Sequence, residues 1–197
     1  MRLAELHWLG LRLFVGIPLA DAVVCELVAM VGRLRGGESA GRGGGLRWTA
    51  PESWHITLQF LGNATVEQLQ CLTARLCEVR AGAVPVQLGE LGCFDRAGVF
   101  FADVTVTPEL AALERSVVAA TSRCGFAAET RPYHPHITLA RAKGQGRGME
   151  LREVKRNVRS QLTFTQFTAH EIVLYESHLG AGGARYEAHM RVPLAGA

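Results

Sequence analysis

The spacing of hydrophobic positions changes along the chain and predicts alternating strands and helices. The run LRLFVGIPL crowds apolar residues before Pro18, which predicts a central strand. In ADAVVCELVAMVGRLR the apolar residues recur every three or four positions and predict a helix with one buried stripe, formed by Val24, Leu27, Val31 and Leu34. The segment from Gly36 to Gly45, GGESAGRGGG, predicts a flexible loop, because glycine loses the most backbone entropy on ordering.

Two further helices carry sequence signals at their start. TVEQLQCLTARLCEVR begins with Thr65 followed by Gln68 three positions later, a capping-box signature. Thr107 followed by Pro108 predicts the N-cap and the first turn of a third helix. The predicted apolar face of the helix that starts at Thr65 consists of Leu69, Leu72, Leu76 and Val79. That of the helix that starts at Thr107 consists of Leu110, Leu113, Val117 and Thr121.

Strand-like runs occupy much of the remaining sequence. VPVQLGELGCF and VFFADVTV predict two strands joined by a hairpin turn at DRAG. After a short helix near MELREVKRNV, the runs FTAHEIVLYESHL and ARYEAHMRVPL predict two closing strands. The glycine-rich SHLGAGGARYE between them is interpreted as a hairpin turn and not as a phosphate loop, because it does not open a helix.

The tetrapeptide HITL occurs twice, beginning at His55 and at His136, each time after a strand and a helix. This indicates an internal repeat of about residues 11–62 and 98–143 within one domain, 1–197. Alternate residues of a strand share a face, so His55 lies beside Thr57, and His136 beside Thr138. A pseudo-twofold relation between the repeats would place both pairs in one cleft.

Two imidazoles flanking a cleft suit a phosphoryl displacement. Histidine has an unperturbed pKa near neutrality, so one ring can donate a proton to the leaving oxygen while the other accepts one from water. Both threonine hydroxyls and Arg141 are candidates to bind the non-bridging phosphate oxygens. Regular alternation would point Arg141 away from His136, so we expect the strand to end or bend after Leu139. Arg131 is a weaker candidate on the preceding loop.

Net charge, cysteine content and the distribution of apolar residues argue against several classes of protein. A formal charge of +3 is too small to indicate a general nucleic-acid coating protein. The five cysteines are odd in number and never form C-x-x-C, so we expect neither a disulfide framework nor a zinc site, and most should be buried small hydrophobes in a reducing compartment. We expect no signal peptide and no membrane span. His134 in the HPH sequence is interpreted as a loop residue and not as a metal ligand.

The flanks RLFVGIPL, WHITLQFLGN, RPYHPHITLAR and SHLGAGGARYE resemble the two-histidine phosphoesterase superfamily, and within it the RNA 2',3'-cyclic phosphodiesterases, historically called 2'-5' RNA ligases. The resemblance runs from about Leu11 to about Leu194 and implies an α+β fold. Two lobes related by a pseudo-twofold axis would each have an antiparallel-rich sheet with flanking helices, and the active-site cleft would lie between them. About ten residues precede the usual start, and the loop GGESAGRGGG is longer than is common.

The resemblance also implies hydrolysis of a 2',3'-cyclic phosphate to a 2'-phosphomonoester without a metal or cofactor, with reversible 2'-5' ligation as a side activity. It assigns proton donation to His55, proton acceptance to His136, and phosphate binding to Thr57, Thr138 and Arg141. The expected substrates are RNA ends or small nucleotides, and the expected state is a cytoplasmic monomer.

Two questions stay open at the level of the sequence. A nucleotide-binding or sensing module with little turnover is the alternative function, although such a module has no need of two proton carriers. At most one aromatic side chain is expected to stack on a base, and the candidates are Phe14, Trp54, Phe94 and Tyr133.

Overall fold

A computed structural model describes residues 10–36, 45–142, 151, 154, 163–180 and 183–194 of the protein. The described helices are α1 (Asp21–Gly36), α2 (Val66–Leu76) and α3 (Pro108–Ser122). The strands are β1 (Leu11–Pro18), β2 (Leu46–Trp48), β3 (His55–Ala64), β4 (Val84–Val86), β5 (Leu88–Phe94), β6 (Val99–Val104), β7 (His136–Ala142), β8 (Phe167–Ala169), β9 (Glu171–Gly180) and β10 (Gly183–Pro193).

The strands form two antiparallel four-stranded sheets and a two-stranded ribbon. The first sheet has the order β10-β9-β1-β3, the second has the order β2-β7-β6-β5, and β4 pairs with β8. The pair β1–β3 in the first sheet corresponds to β6–β7 in the second, since β3 and β7 both begin with HITL. The architecture is therefore the predicted α+β arrangement of two repeated sheets with helices beside them.

The predicted starts of α2 and α3 are confirmed. Thr65 caps α2 through its hydroxyl, and the Gln68 side chain accepts from the Thr65 backbone in return. Thr107 caps α3, and the residues of α3 predicted to be buried are all buried. The α2 helix ends at Leu76, before the predicted end, although Val79 beyond it is buried.

Three features differ from the sequence prediction. The run VPVQLGELGCF is divided into β4 and β5, and FTAHEIVLYESHL is divided into β8 and β9, because β4 and β8 leave the main sheets to pair with each other. The short strand β2 was not predicted, and it joins the sheet of the second HITL strand although it precedes the first in sequence. The Gly36 to Gly45 loop and the helix near MELREVKRNV lie largely outside the described residues; Leu151 and Val154 are buried.

The expectation that the cysteines are mostly buried small hydrophobes outside any disulfide is wrong. Cys71 of α2 and Cys124, just after α3, form a disulfide. Cys25 and Cys77 are exposed, and Cys93 is half-buried. The two bonded residues are 53 positions apart and meet because α2 packs against α3, a contact that cysteine spacing does not reveal. Within the described part of the chain, no helix is long and apolar enough to cross a membrane.

Candidate active site

Each predicted catalytic histidine starts a strand and is held by the backbone just before it. The His55 Nδ1 lies 2.8 Å from the carbonyl oxygen of Ser53, and the His136 Nδ1 lies 2.8 Å from that of His134. A carbonyl oxygen can only accept, so Nδ1 carries the proton and Nε2 is the basic nitrogen of each neutral ring. The two repeats therefore present their histidines in the same tautomer, with Nε2 available to a substrate.

The local sequence explains this shared arrangement. Proline precedes each histidine by four positions, at Pro51 and at Pro132. In the first repeat, Pro51–Ser53 forms a 3-10 turn, and the Trp54 amide donates to the Pro51 carbonyl oxygen. The turn presents the Ser53 carbonyl oxygen to His55.

The pKa values of both imidazoles lie below the usual value for histidine. Burial lowers the pKa of His55 to about 4, and the charges of His136 and Arg141 act in the same direction, while the Ser53 carbonyl opposes them. Burial also lowers the pKa of His136, assisted by the charges of His134 and Arg141 and opposed by the His134 carbonyl and Asp103. Arg141 thus lowers the pKa of both histidines, and His136 lowers that of His55.

Each HITL motif has a β-bulge at the same position, and the bulge in the second motif determines which face of the sheet Arg141 lies on. The ladder of β6 and β7 pairs Phe101 with Thr138 and Phe100 with Ala140, so Leu139 is skipped. Residues beyond the bulge change face, which places Arg141 on the side of His136 and Thr138. The expected bend after Leu139 is confirmed, and Arg141 is exposed while Leu139 and Ala140 are both buried. Thr57 and Thr138 are half-buried on the histidine faces of their strands.

The first repeat has the same bulge at Leu58, because Gly16 pairs with Thr57 and Val15 with Gln59. Phe60 then occupies the position that Arg141 has in the second repeat, five residues after the histidine, and it is 60% exposed. The sequence reasoning missed Phe60, although superposing the two motifs would have found it.

Aromatic rings enclose each histidine, and most of them were not predicted. Around His55, the ring centroids of Phe14, Tyr186 and Tyr175 lie at 4.5, 4.9 and 5.9 Å. Around His136, those of Phe94 and Phe101 lie at 5.1 and 5.3 Å. These rings exclude water and cause the burial that lowers both pKa values.

The four predicted stacking candidates differ in their surroundings. Phe14 and Trp54 are buried and offer no open face. Phe94 and Tyr133 are half-buried, and the Tyr133 hydroxyl donates to the Thr57 carbonyl oxygen at 3.3 Å, which ties the loop before β7 to β3. Arg131 is exposed and pairs with Glu129 at 2.8 Å.

His134 is an exposed loop residue, as predicted, and its Nε2 lies 3.0 Å from Asp103 Oδ1. No group of three His, Cys, Asp or Glu side chains in the described ranges is arranged to hold a metal ion.

Two repeated sheets, each presenting a His-x-Thr strand to a common cleft, define a class of two-lobed α+β proteins with a paired-histidine site. The chain belongs to the 2'-5' RNA ligase superfamily, whose sequence profile matches residues 24–181.

Several curated relatives are named RNA 2',3'-cyclic phosphodiesterase. The protein from Archaeoglobus fulgidus is 27% identical over 180 residues, which cover 90% of this chain and 97% of that protein. The proteins from Geobacillus stearothermophilus and Bacillus subtilis are each 34% identical, over 76% and 48% of this chain. The matched region spans about half the length of these two relatives, 48% and 55%.

Solved structures share the fold. LigT of Escherichia coli in complex with 3'-AMP matches with a TM-score of 0.74 at 23% identity, over 94% of this chain and 98% of that chain. The protein TT0787 of Thermus thermophilus matches with the same TM-score, identity and coverage.

Proposed function

We propose that this protein hydrolyses the 2',3'-cyclic phosphate of RNA ends or nucleotides to a 2'-phosphomonoester, without a metal ion. The observation that carries the proposal is the pair of histidines with the same fixed tautomer, whose Nε2 atoms make no hydrogen bond to the part of the chain that the structure describes. The superfamily membership and the activity for which the relatives are named support the same reaction.

The reaction requires one proton to leave the attacking water and another to reach the departing ribose oxygen. Water attacks phosphorus in line with the 3' oxygen, the bond from phosphorus to this oxygen breaks, and the 2' ester is retained. We assign the water proton to Nε2 of His136 and the proton for the 3' oxygen to Nε2 of His55. After each turnover, proton exchange with solvent returns the proton to His55 and removes it from His136.

The remaining polar groups stabilise the charge on phosphorus. The hydroxyls of Thr57 and Thr138 donate to the non-bridging oxygens, and the Arg141 guanidinium supplies positive charge and a forked donor. An anionic phosphate opposes the pKa depression caused by burial, so substrate binding itself favours protonation of a histidine that is neutral in the empty site.

Replacement of water by a 5'-hydroxyl group would give 2'-5' ligation by the same proton transfers. A nucleotide-binding module without turnover is not favoured, because its ligand would not require two basic Nε2 atoms on one cleft. A monomeric state and a cytoplasmic location stay predictions.

The test is hydrolysis of an oligonucleotide that ends in a 2',3'-cyclic phosphate. We expect His55→Ala and His136→Ala each to lower kcat by at least about a hundredfold, the lower end for loss of a positioned proton carrier. His170→Ala is the matched control, because His170 is exposed between β8 and β9. Near wild-type turnover in either site variant would contradict the proposed function.

A further inference from the structure

A cavity of about 670 Å³ opens beside the catalytic residues. Thr57 and His136 line it, so it is continuous with the proposed site of phosphate transfer. Its other walls come from α3, from the loop before β7 and from the turn between β5 and β6. The volume is in the usual range of ligand pockets and exceeds what a phosphate group alone would fill.

Aromatic rings pack on the His55 side of the cleft. The rings of Phe14, Tyr175 and Tyr186 pack around His55, and none of them lines the cavity. A nucleoside attached to the reacting phosphate therefore finds its space on the His136 side.

Aromatic side chains from both sheets line this space. Phe60 of β3 is 60% exposed, and Phe94 of β5 is half-buried with one face stacked on Phe101 at 4.3 Å. Exposed aromatic rings beside a catalytic centre are platforms on which planar bases stack.

Glu114 of α3 places a carboxyl group in the wall of the cavity. The side chain is half-buried, and it makes no hydrogen bond or ion pair within the described parts of the chain. Arg131, which also lines the cavity, is instead paired with Glu129. Burial raises the pKa of Glu114, opposed by the charge of Arg115. An ionised carboxylate only accepts hydrogen bonds, so it is satisfied by a ligand that donates.

We propose that this cavity binds the base of the terminal nucleotide and that Glu114 selects bases with an exocyclic amino group. This inference rests on the proposed function and specifies which bases the hydrolase prefers in its substrate. Guanine suits the carboxylate best, because its ring N–H and amino group are adjacent parallel donors. Adenine and cytosine offer one amino group. Uracil presents an N–H between two carbonyl oxygens, which a carboxylate repels.

The test compares the four nucleoside 2',3'-cyclic phosphates with the wild-type protein, Glu114→Gln and Glu109→Gln. We expect wild-type kcat/KM to be about tenfold or more higher for the guanosine than for the uridine substrate, the scale of one hydrogen bond to a charged group. Glu114→Gln should bring the ratio close to one, because an amide also donates to the uracil carbonyl oxygens. Glu109 lies exposed in the first turn of α3, so Glu109→Gln should keep the wild-type ratio.

Failure of the base preference and failure of the proposed function give different results. Hydrolysis of all four substrates at similar kcat/KM, or a preference unchanged in Glu114→Gln, would overturn the base site and leave the hydrolase intact. If no substrate is hydrolysed, the base site is tested separately by calorimetry, which compares the binding of guanosine 2'-monophosphate with that of uridine 2'-monophosphate. Tighter guanosine binding that is lost in Glu114→Gln would support the base site alone, and equal binding would overturn it.

Discussion

At the scale of the residue, the site depends on two neutral imidazoles whose Nδ1 protons are held by backbone carbonyl oxygens. This contact fixes the ring orientation without a carboxylate partner, so it adds no negative charge to a cleft that must accept a phosphate. Burial lowers the pKa of both rings, which disfavours their protonated form near neutral pH. In the proposed mechanism, the charge of the substrate phosphate opposes this effect.

The pKa directions predict the pH dependence. kcat/KM reports the free protein and should be bell-shaped with its maximum below pH 6.5. It should fall at lower pH because the acceptor His136 becomes protonated, and at higher pH because the donor His55 loses its proton above its lowered pKa. kcat reports the substrate complex and should be greatest at higher pH, since the bound phosphate raises the pKa of the donor. Steady-state kinetics from pH 4 to 9 measures both, and a kcat/KM optimum above pH 8 would be incompatible with these shifts.

The side chains proposed to act in catalysis were identified from sequence, because strand alternation and duplication act on residue type alone. His55, Thr57, His136 and Thr138 follow from the repeated motif. The carbonyl contacts were not predictable, since backbone groups leave no residue signature. Tyr175 and Tyr186 lie more than a hundred positions from His55 and reach it only through the order of the strands.

At the scale of the element, the bulges at Leu58 and Leu139 reverse the facing of the residues that follow them in the HITL strands, and β3 has a second register shift at Leu61. An arginine at a position where alternation predicts burial was the only sequence sign of the second bulge. The first bulge buries Gln59, which accepts from the Thr121 hydroxyl at 2.6 Å and donates to the Ala127 carbonyl oxygen at 3.3 Å. Sequence patterning thus located both strands but not their change of face.

A glycine on the neighbouring strand makes room for the ring that packs on His136. A Cβ added at Gly92 would lie 2.5 Å from Phe101 Cζ, so Gly92→Ala must displace the Phe101 ring. We expect a loss of about 1–3 kcal/mol in the free energy of unfolding, the usual effect of overpacking, together with slower hydrolysis. Urea denaturation and activity assays measure the two effects.

Gly32 of α1 provides the control, because nothing lies within 4 Å of its added Cβ. Gly32→Ala should stabilise the protein by about 0.5–1 kcal/mol and leave activity unchanged. A Gly92→Ala variant as stable and as active as the wild type would show that Phe101 does not support His136.

At the scale of the whole molecule, an exchange of strands connects the two four-stranded sheets, and a disulfide connects α2 to the end of α3. β2 precedes the first HITL strand but pairs with the second, while β9 and β10 return to the first sheet. The periodic pattern predicted most elements, yet a three-residue strand is too short to give a pattern, and its partner is set by the chain path.

The Cys71–Cys124 disulfide closes a loop of 53 residues between α2 and the end of α3. Its reduction should lower the free energy of unfolding by about 2–4 kcal/mol, because the unfolded chain regains conformational entropy. Thermal unfolding with and without dithiothreitol measures the change. The Cys71→Ala/Cys124→Ala double variant should unfold at a lower temperature that no longer depends on the reductant. A wild-type midpoint unaffected by complete reduction would contradict this role.

The central claim is that paired imidazoles, hydroxyls and an arginine open a cyclic phosphate without a metal ion. The most direct measurement is incubation of the protein with an oligonucleotide 2',3'-cyclic phosphate in excess EDTA, followed by determination of the phosphate position in the product. We predict undiminished turnover and a 2'-phosphate alone, because the 3' oxygen is the protonated leaving group. Loss of turnover that Mn²⁺ or Zn²⁺ restores, or a 3'-phosphate product, would contradict the claim.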